Sequence, residues 1–365
     1  MSLNCGIIGL ANTGKTTIFN CMSNTKAQSS NYAFSATKSN IGIVNVPDPR
    51  LYKLDDLIKS EKVIPATIEI VDVPGLSKGA SEGEGVGNKF LSDIQKTDAL
   101  VHVLRCFDDD NLAHIEGSVD PVRDIEIVDF ELQVRDLDLV NRKIERLNKL
   151  TKSGDKEAKK GIESLTKYKN HLENFGNVRT AEVTDYDATH IKDIQLLTDK
   201  TVIYVCNVDD SCSPTEGNDY VNKVKEFLDD ASNVLVVAGE IEAEISELED
   251  EMDRKEFLTD AGLEEPGVNR LVRAAYDALN LMSFFTAGPK EVRAWTIKKG
   301  MKAPEAAGVI HSDLERGFIR SEVIKYDDYM EYGSEQAVKD AGKFHVEGKN
   351  YIVEDADVMH IRFNV

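Results

Sequence analysis

A chain of 365 residues with 41% hydrophobic and 30% charged residues is long enough for a large core and for more than one domain. Its formal charge of −21 excludes a protein that coats nucleic acid indiscriminately, while leaving room for a local basic face. No apolar run approaches bilayer-spanning length and the N-terminus reads as a strand instead of a signal peptide, so a cytoplasmic protein with no membrane partner is expected.

The five cysteines (Cys5, Cys21, Cys106, Cys206, Cys212) show neither paired nor metal-ligand spacing. Three sit in apolar runs, which points to buried, reduced thiols. Leu3 to Ile8 reads as a first strand, and Thr17 to Ser23 opens a helix with Ile18, Phe19 and Met22 at helical spacing. Between them, Gly9-Leu10-Ala11-Asn12-Thr13-Gly14-Lys15-Thr16-Thr17 matches G-x-x-x-x-G-K-[ST] without a mismatch. A strand that feeds a helix through such a turn aims backbone N–H groups and a helix N-terminus at one anionic point. Asn12, Thr13, Gly14, Lys15, Thr16 and Thr17 are therefore assigned to a nucleoside triphosphate. Lys15 reaches the β/γ-phosphates, and the Thr16 hydroxyl is placed to ligate Mg²⁺.

Gln28 to Asn40 lacks a steady period; it is either a plain surface loop or a switch that folds over the γ-phosphate. Ile64 to Val71 alternates and ends in Asp72-Val73-Pro74-Gly75. In this D-x-x-G motif Asp72 holds Mg²⁺ through water, and the Gly75 N–H senses the γ-phosphate. The next residue, Leu76, stands where many GTPases place a glutamine that orients the attacking water. The glycines at 79, 83, 85 and 87 then predict a second mobile loop.

Ala99 to Leu104 is another buried strand, followed by the acidic Phe107-Asp108-Asp109-Asp110 and, just beyond, His114. With leucine at position 76, His114 is the candidate for positioning water or carrying a proton; a locally bonded surface histidine is the competing reading. From Asp129, Phe130, Val134, Leu137, Val140, Ile144 and Leu147 predict a long amphipathic helix. Ile162, Leu165, Tyr168, Leu172 and Phe175 repeat its spacing after a break at Lys152 to Asp155. The pair reads as an antiparallel hairpin. Residues 141–170 carry ten Lys/Arg and four Asp/Glu, a local +6.

Thr201 to Cys206 is a strand that runs into Asn207-Val208-Asp209-Asp210, and Asn233 to Ala238 is the last strand, ending Ala238-Gly239-Glu240. In GTPases N-K-x-D reads the base at this position, its Asp accepting from guanine and its Lys stem covering the ring. Here Asn207 and Asp210 hold the outer positions and Val208 replaces the lysine, so the spacing reads as a base site but leaves the base open. Asn207, Val208, Asp210, Ala238 and Gly239 are its candidate residues.

Several runs resemble the YchF-type Obg-like ATPases, P-loop proteins of the translation-factor class, over nearly the whole chain. They are Val86 to Leu91, His114 to Pro121, Phe284 to Pro289, Val292 to Thr296, Lys302 to Gly308, Gly317 to Arg320 and Asn350 to Asp355. The resemblance implies an α/β fold, a P-loop GTPase-like doubly wound sheet, with ATP preferred over GTP and adenine met largely by the backbone at Val208. The family usually has Glu where this chain has Asp210, a step back towards the guanine pattern. Its first-switch Asn-Tyr-Pro-Phe-x-Thr stands here as Asn31-Tyr32-Ala33-Phe34-Ser35-Ala36, so its Mg²⁺-ligating Thr falls on Ala36; Ser35 and Thr37 are the neighbouring hydroxyls. An apolar residue after D-x-x-G fits the family.

The organisation implied is a nucleotide-binding domain over 1–125 and 196–281, a helical hairpin over 126–195, and a β-grasp-like TGS domain over 282–365. Val292 to Ile297, Phe318 to Val323 and Tyr351 to Val353 alternate as strands, with Trp295 read as core in the first. Residues 289–325 hold eight Lys/Arg and five Asp/Glu, locally +3. Two basic stretches point to the ribosome, a subunit or its RNA as partner, and nothing demands more than a monomer. Three functions are carried forward: a slow Mg²⁺-dependent ATPase acting on ribosomes, a GTP-preferring GTPase, and a nucleotide-gated RNA- or ribosome-binding module with negligible turnover.

Overall fold

The computed structural model describes residues 3–23, 40–73, 91, 93–228 and 231–364. Two six-stranded sheets organise them. The first runs in the order β2-β4-β1-β5-β6-β7, with β1 Leu3–Ile8, β2 Asn40–Asn45, β4 Thr67–Asp72, β5 Ala99–Arg105, β6 Thr201–Asn207 and β7 Val234–Val237. The pairs β1–β5, β5–β6 and β6–β7 are all parallel. All seven residues of β5 are buried, as a parallel strand covered on both faces requires. Chain order and spatial order diverge beside β1, and ligands of such sheets bind at the strand C-termini near that point.

The second sheet runs β11-β10-β12-β8-β9-β3, with β3 Val63–Ile64, β8 Leu281–Ala287, β9 Val292–Lys298, β10 Phe318–Ile324, β11 His345–Glu347 and β12 Val358–Phe363. β8 and β9 form an antiparallel pair from Leu281↔Lys298 to Ala287↔Val292. Phe284, Ile297, Ala306, Ala307, Phe318 and Met359 lie in its core. The chain divides into two compact units: one contains Ile43–Glu69 and Asn269–Val365, the other Asn4–Gly42 and Ile70–Val268.

Two expected strands differ from the structure. The alternating run Ile64 to Val71 breaks at Pro65, which has no N–H to continue a ladder. Its first residue belongs to β3, which pairs with β9, and the remainder begins at β4 in the other sheet. Tyr351 to Val353 is not a strand but a bridge, Lys302↔Ile352, flanked by the bonds from Ala303 N to Tyr351 O and from Val353 N to Met301 O.

The hairpin is formed by α3 (Pro121–Thr151) and α4 (Lys156–Glu173), after α1 (Lys15–Ser23) and α2 (Pro49–Ile58). α3 starts eight residues before Asp129. Asp120 caps it by accepting from Arg123 N at 3.2 Å, and proline occupies the first turn, where its missing N–H costs nothing. This extra length has a separate role. Ile125, Val128 and Leu132 pack into the nucleotide core, while Val140 packs with Leu165, Tyr168 and Leu172 of α4. Phe130, expected on the packed stripe, is exposed and its ring meets that of Phe175 at 6.1 Å. The connecting turn ends at Asp155, which accepts from Glu157 N and Ala158 N at 2.9 and 3.0 Å. Asp136, fully buried in α3, accepts from Leu197 N, Thr198 N and Thr198 Oγ1, each at 2.7 Å.

All five cysteines are free, and all but the half-buried Cys212 are buried. No helix among the described residues is long and apolar enough to cross a membrane.

Candidate nucleotide site

The loop between β1 and α1 is built on three residues with positive φ: Gly9 at 144°, Asn12 at 63° and Gly14 at 90°. At two of them only glycine fits. A Cβ on Gly9 would stand 2.5 Å from Val103 O, and one on Gly14 would stand 2.1 Å from Asn207 Nδ2. α1 begins at Lys15, two residues earlier than its apolar spacing suggested, so Thr16 and Thr17 lie in its first turn. Thr16 is exposed, while Thr13 and Lys15 are buried. Thr13 Oγ1 donates to Leu10 O at 3.2 Å, which closes the loop.

Lys15 Nζ donates to the Leu10 carbonyl. Burial pulls its ammonium down to about 8, and the nearby Asp72 carboxylate opposes the shift. Burial likewise pushes the Asp72 carboxyl up, against the pull of Lys15. The pair therefore stands at the strand ends as one cation and one anion of low hydration, with the exposed Thr16 hydroxyl open to solvent. That donor set, a hydroxyl and a carboxylate, suits a hard divalent cation. A bound phosphate favours the charged lysine, so nucleotide binding is expected to take up a proton as Lys15 titrates. Affinity should fall as pH rises through about 8. Calorimetry between pH 7 and 9 in buffers of different ionisation enthalpy checks this; pH-independent affinity without proton uptake counts against it.

Asn207, the last residue of β6, joins the two halves of the site. Its Nδ2 donates to Thr13 O at 3.1 Å, and its Oδ1 accepts from Gly239 N at 3.1 Å. Asn207 thus fixes the phosphate loop against the Ala238-Gly239 turn. Its side chain is used up in this brace and does not read a base. Val208 turns its side chain into the core, and its N–H donates to Val237 O at 3.0 Å. No side chain at this position covers a base as a lysine stem would. Asp210 is exposed, and Asp209 instead closes the local turn by accepting from Ser211 N and Oγ.

Asn12 Nδ2 donates to Ala113 O at 3.1 Å, tying the phosphate loop to the segment that carries His114. His114 itself is enclosed. Nδ1 accepts from Glu116 N at 3.1 Å, and Nε2 lies 2.9 Å from Asp124 Oδ2 on α3. A ring that accepts at Nδ1 carries its proton at Nε2 and donates it to the carboxylate. Both nitrogens are therefore engaged, and the side chain is only 3% exposed. Burial pushes the Asp124 carboxyl up, while His114 and Arg123 pull it down.

One organising residue escaped the sequence reading. Arg105 is fully buried at the end of β5. Its guanidinium donates to the carbonyls of Phe107, Leu112 and Asp109 at 3.1, 2.7 and 3.3 Å and lies 4.8 Å from the Phe107 ring centroid. An arginine before three aspartates suggests surface ion pairs; it instead pins the backbone of the loop that leads to Ala113. Gly75, Leu76 and the residues 31–37 of the first switch lie outside the described residues.

Known proteins agree with this geometry. Residues 4–135 match the family model of a 50S ribosome-binding GTPase, and residues 281–364 match that of the YchF-type GTPase C-terminal region, described as a protein of unknown function. The ribosome-binding ATPase YchF of Haemophilus ducreyi is 49% identical over 367 residues, covering 100% of both chains. That of Bacillus subtilis is 47% identical over the same extent. The structure of the Schizosaccharomyces pombe YchF GTPase superposes with a TM-score of 0.86 at 33% identity, covering 99% of this chain and 98% of that one. The chain belongs to the YchF family.

Proposed function

We propose that this protein is a cytoplasmic, slowly hydrolysing, Mg²⁺-dependent ATPase that binds the ribosome, as the names of its full-length relatives say of them. The observation that carries the choice of ATP is the burial of Val208. With its side chain in the core and Asn207 committed to Thr13 and Gly239, the base is left to backbone groups and the Ala238-Gly239 turn. A GTP-preferring reading rests on Asp210, exposed at the outer end of the motif, where a carboxylate suits guanine N1–H and N2–H₂. Side-by-side ATP and GTP binding decides between them; tighter GTP binding overturns the ATP assignment.

In this reading Thr16 and Asp72 hold Mg²⁺, which neutralises the developing phosphoryl charge. Asn12 to Thr17 and Gly75 surround the phosphates. His114 is the proposed water-positioning group, held at rest by Asp124 and the Glu116 N–H and released when the loop rearranges on the ribosome. General-base assistance is worth about 10²–10⁴-fold. His114→Ala is therefore expected to lower ribosome-stimulated single-turnover hydrolysis by at least about 10-fold while ATP affinity changes little. Absence of ribosome stimulation, with no effect of His114→Ala, would leave a nucleotide-gated binding module in which turnover is incidental. The basic hairpin and the C-terminal unit are the proposed ribosome-facing parts, and the active form is a monomer.

A further inference from the structure

The chain contains a single tryptophan, Trp295 on β9. Expected in the core, it is half buried, and two contacts fix its plane. Nε1–H donates to Thr286 Oγ1 at 2.9 Å, and the Arg293 guanidinium lies 3.9 Å from the ring centroid. Beside the indole is a cavity of about 570 Å³, lined by Trp295, Ile310, Leu314, Ile361, Pro289 and Lys290 among others. Ile310, Leu314 and Ile361 are also only half buried, so this is apolar surface that the core leaves open. The polar edge of the indole is satisfied internally, which leaves its π-surface as the part free to meet a ligand.

The charge around the cavity favours an anionic occupant. Lys290 is exposed on the lining, and neither Lys290 nor Arg293 forms a salt bridge among the described residues. Residues 289–325 are locally +3 in a chain of −21. A purely apolar protein segment would fill the cavity but leave both cations without a counterpart. A flat, polarisable ring joined to a phosphate matches the fixed indole and the cations together. We propose that this cavity takes one unpaired nucleobase of single-stranded RNA, stacked on Trp295, with an adjoining phosphate at Lys290. Few polar side chains line the cavity, so binding should tolerate any base and prefer purines through stacking strength.

The inference rests on the ribosome reading for the source of the RNA. Its test uses the full chain and an eight-nucleotide oligoriboadenylate, with co-sedimentation on ribosomes measured alongside. Because Trp295 is the sole tryptophan, saturable quenching of protein fluorescence reports occupancy of this cavity. Anisotropy of a labelled oligonucleotide gives affinity independently of the fluorophore. Trp295→Ala is expected to weaken binding about 10-fold and Trp295→Phe much less, as base stacking requires. Leu314→Glu, on a half-exposed position, serves if Trp295→Ala does not fold, and should abolish the quenching. No saturable quenching, or affinity unchanged in both Trp295→Ala and Leu314→Glu, overturns the proposal. So does quenching by a phenylalanine-rich peptide without quenching by RNA, which would assign the cavity to a protein. Loss of ribosome co-sedimentation with oligonucleotide binding intact supports the cavity and overturns only the ribosome reading.

Discussion

Asn207→Ala is expected to cost both stability and nucleotide affinity, although the side chain touches no phosphate in the arrangement described. Removing it leaves Thr13 O and Gly239 N–H, both partnered only through Asn207 across the sheet, without those bonds. Each orphaned buried group costs about 1–3 kcal/mol, so the variant should lose roughly 2–6 kcal/mol in all. The lost brace also frees the loop at Gly14, whose left-handed backbone packs directly on Asn207 Nδ2. ATP affinity should fall by at least about 30-fold, the equivalent of roughly 2 kcal/mol. Thermal denaturation and titration with a fluorescent ATP analogue read the two effects separately. Asn207→Asp keeps an acceptor for Gly239 but sets a carboxylate against the Thr13 carbonyl, and should fail as well. An alanine variant that binds ATP within threefold of the wild type would show that the loop holds its shape unaided.

A second large effect is expected at Asp136. Its carboxylate receives three hydrogen bonds at 2.7 Å from Leu197 and Thr198 in a buried setting. Asp136→Ala orphans two backbone donors and a hydroxyl, and should cost about 3–5 kcal/mol. The group also leaves a signature in pH. Burial, acting against those hydrogen bonds, pushes the Asp136 carboxyl up to about 6. Because its folded value lies above the ordinary carboxylate value, protonation is favoured by folding. Its contribution is fully present below about pH 4 and is lost as pH rises through about 6, a span worth roughly 3 kcal/mol. Asp136→Asn cannot titrate. Its stability relative to the wild type should therefore improve as pH rises from 4.5 to 7.5, from an initial deficit. Urea denaturation at four pH values tests this, and parallel profiles for the two proteins would refute it.

These effects show where sequence was informative. The phosphate loop was legible because its geometry is local: Gly9, Gly14, Lys15 and Thr16 need only the strand before and the helix after them. Asn207 was legible as a position but not as a role. Its bond to Thr13 spans 194 residues, and a spacing match to a base-reading motif says nothing about which way the amide faces. Val208 shows the converse: a replaced lysine was visible in the sequence, and the structure adds that the new side chain joins the core. The early start of α3 was written in Asp120-Pro121, a capping residue before a first-turn proline; the apolar period from Asp129 outweighed it. The placement of β3 was hidden because Pro65 divides a run whose halves pair with strands far apart in sequence. Trp295 looked like core because alternation reports which face of a strand a residue occupies, not whether that face is fully covered.

The continuity of α3 has a mechanical consequence. Asp124, near its start, holds His114, and Thr151 ends it at the hairpin tip. At 1.5 Å per residue the 27 intervening steps make an arm of about 40 Å. No loop or hinge interrupts the helix between these points. A tilt of about 5° at the His114 end therefore carries the tip through roughly 3.5 Å, comparable to the spacing between stacked bases. A rearrangement of one histidine and one carboxylate, too small to alter the outline of the nucleotide domain, becomes at the far end of the lever a displacement that another macromolecule can register.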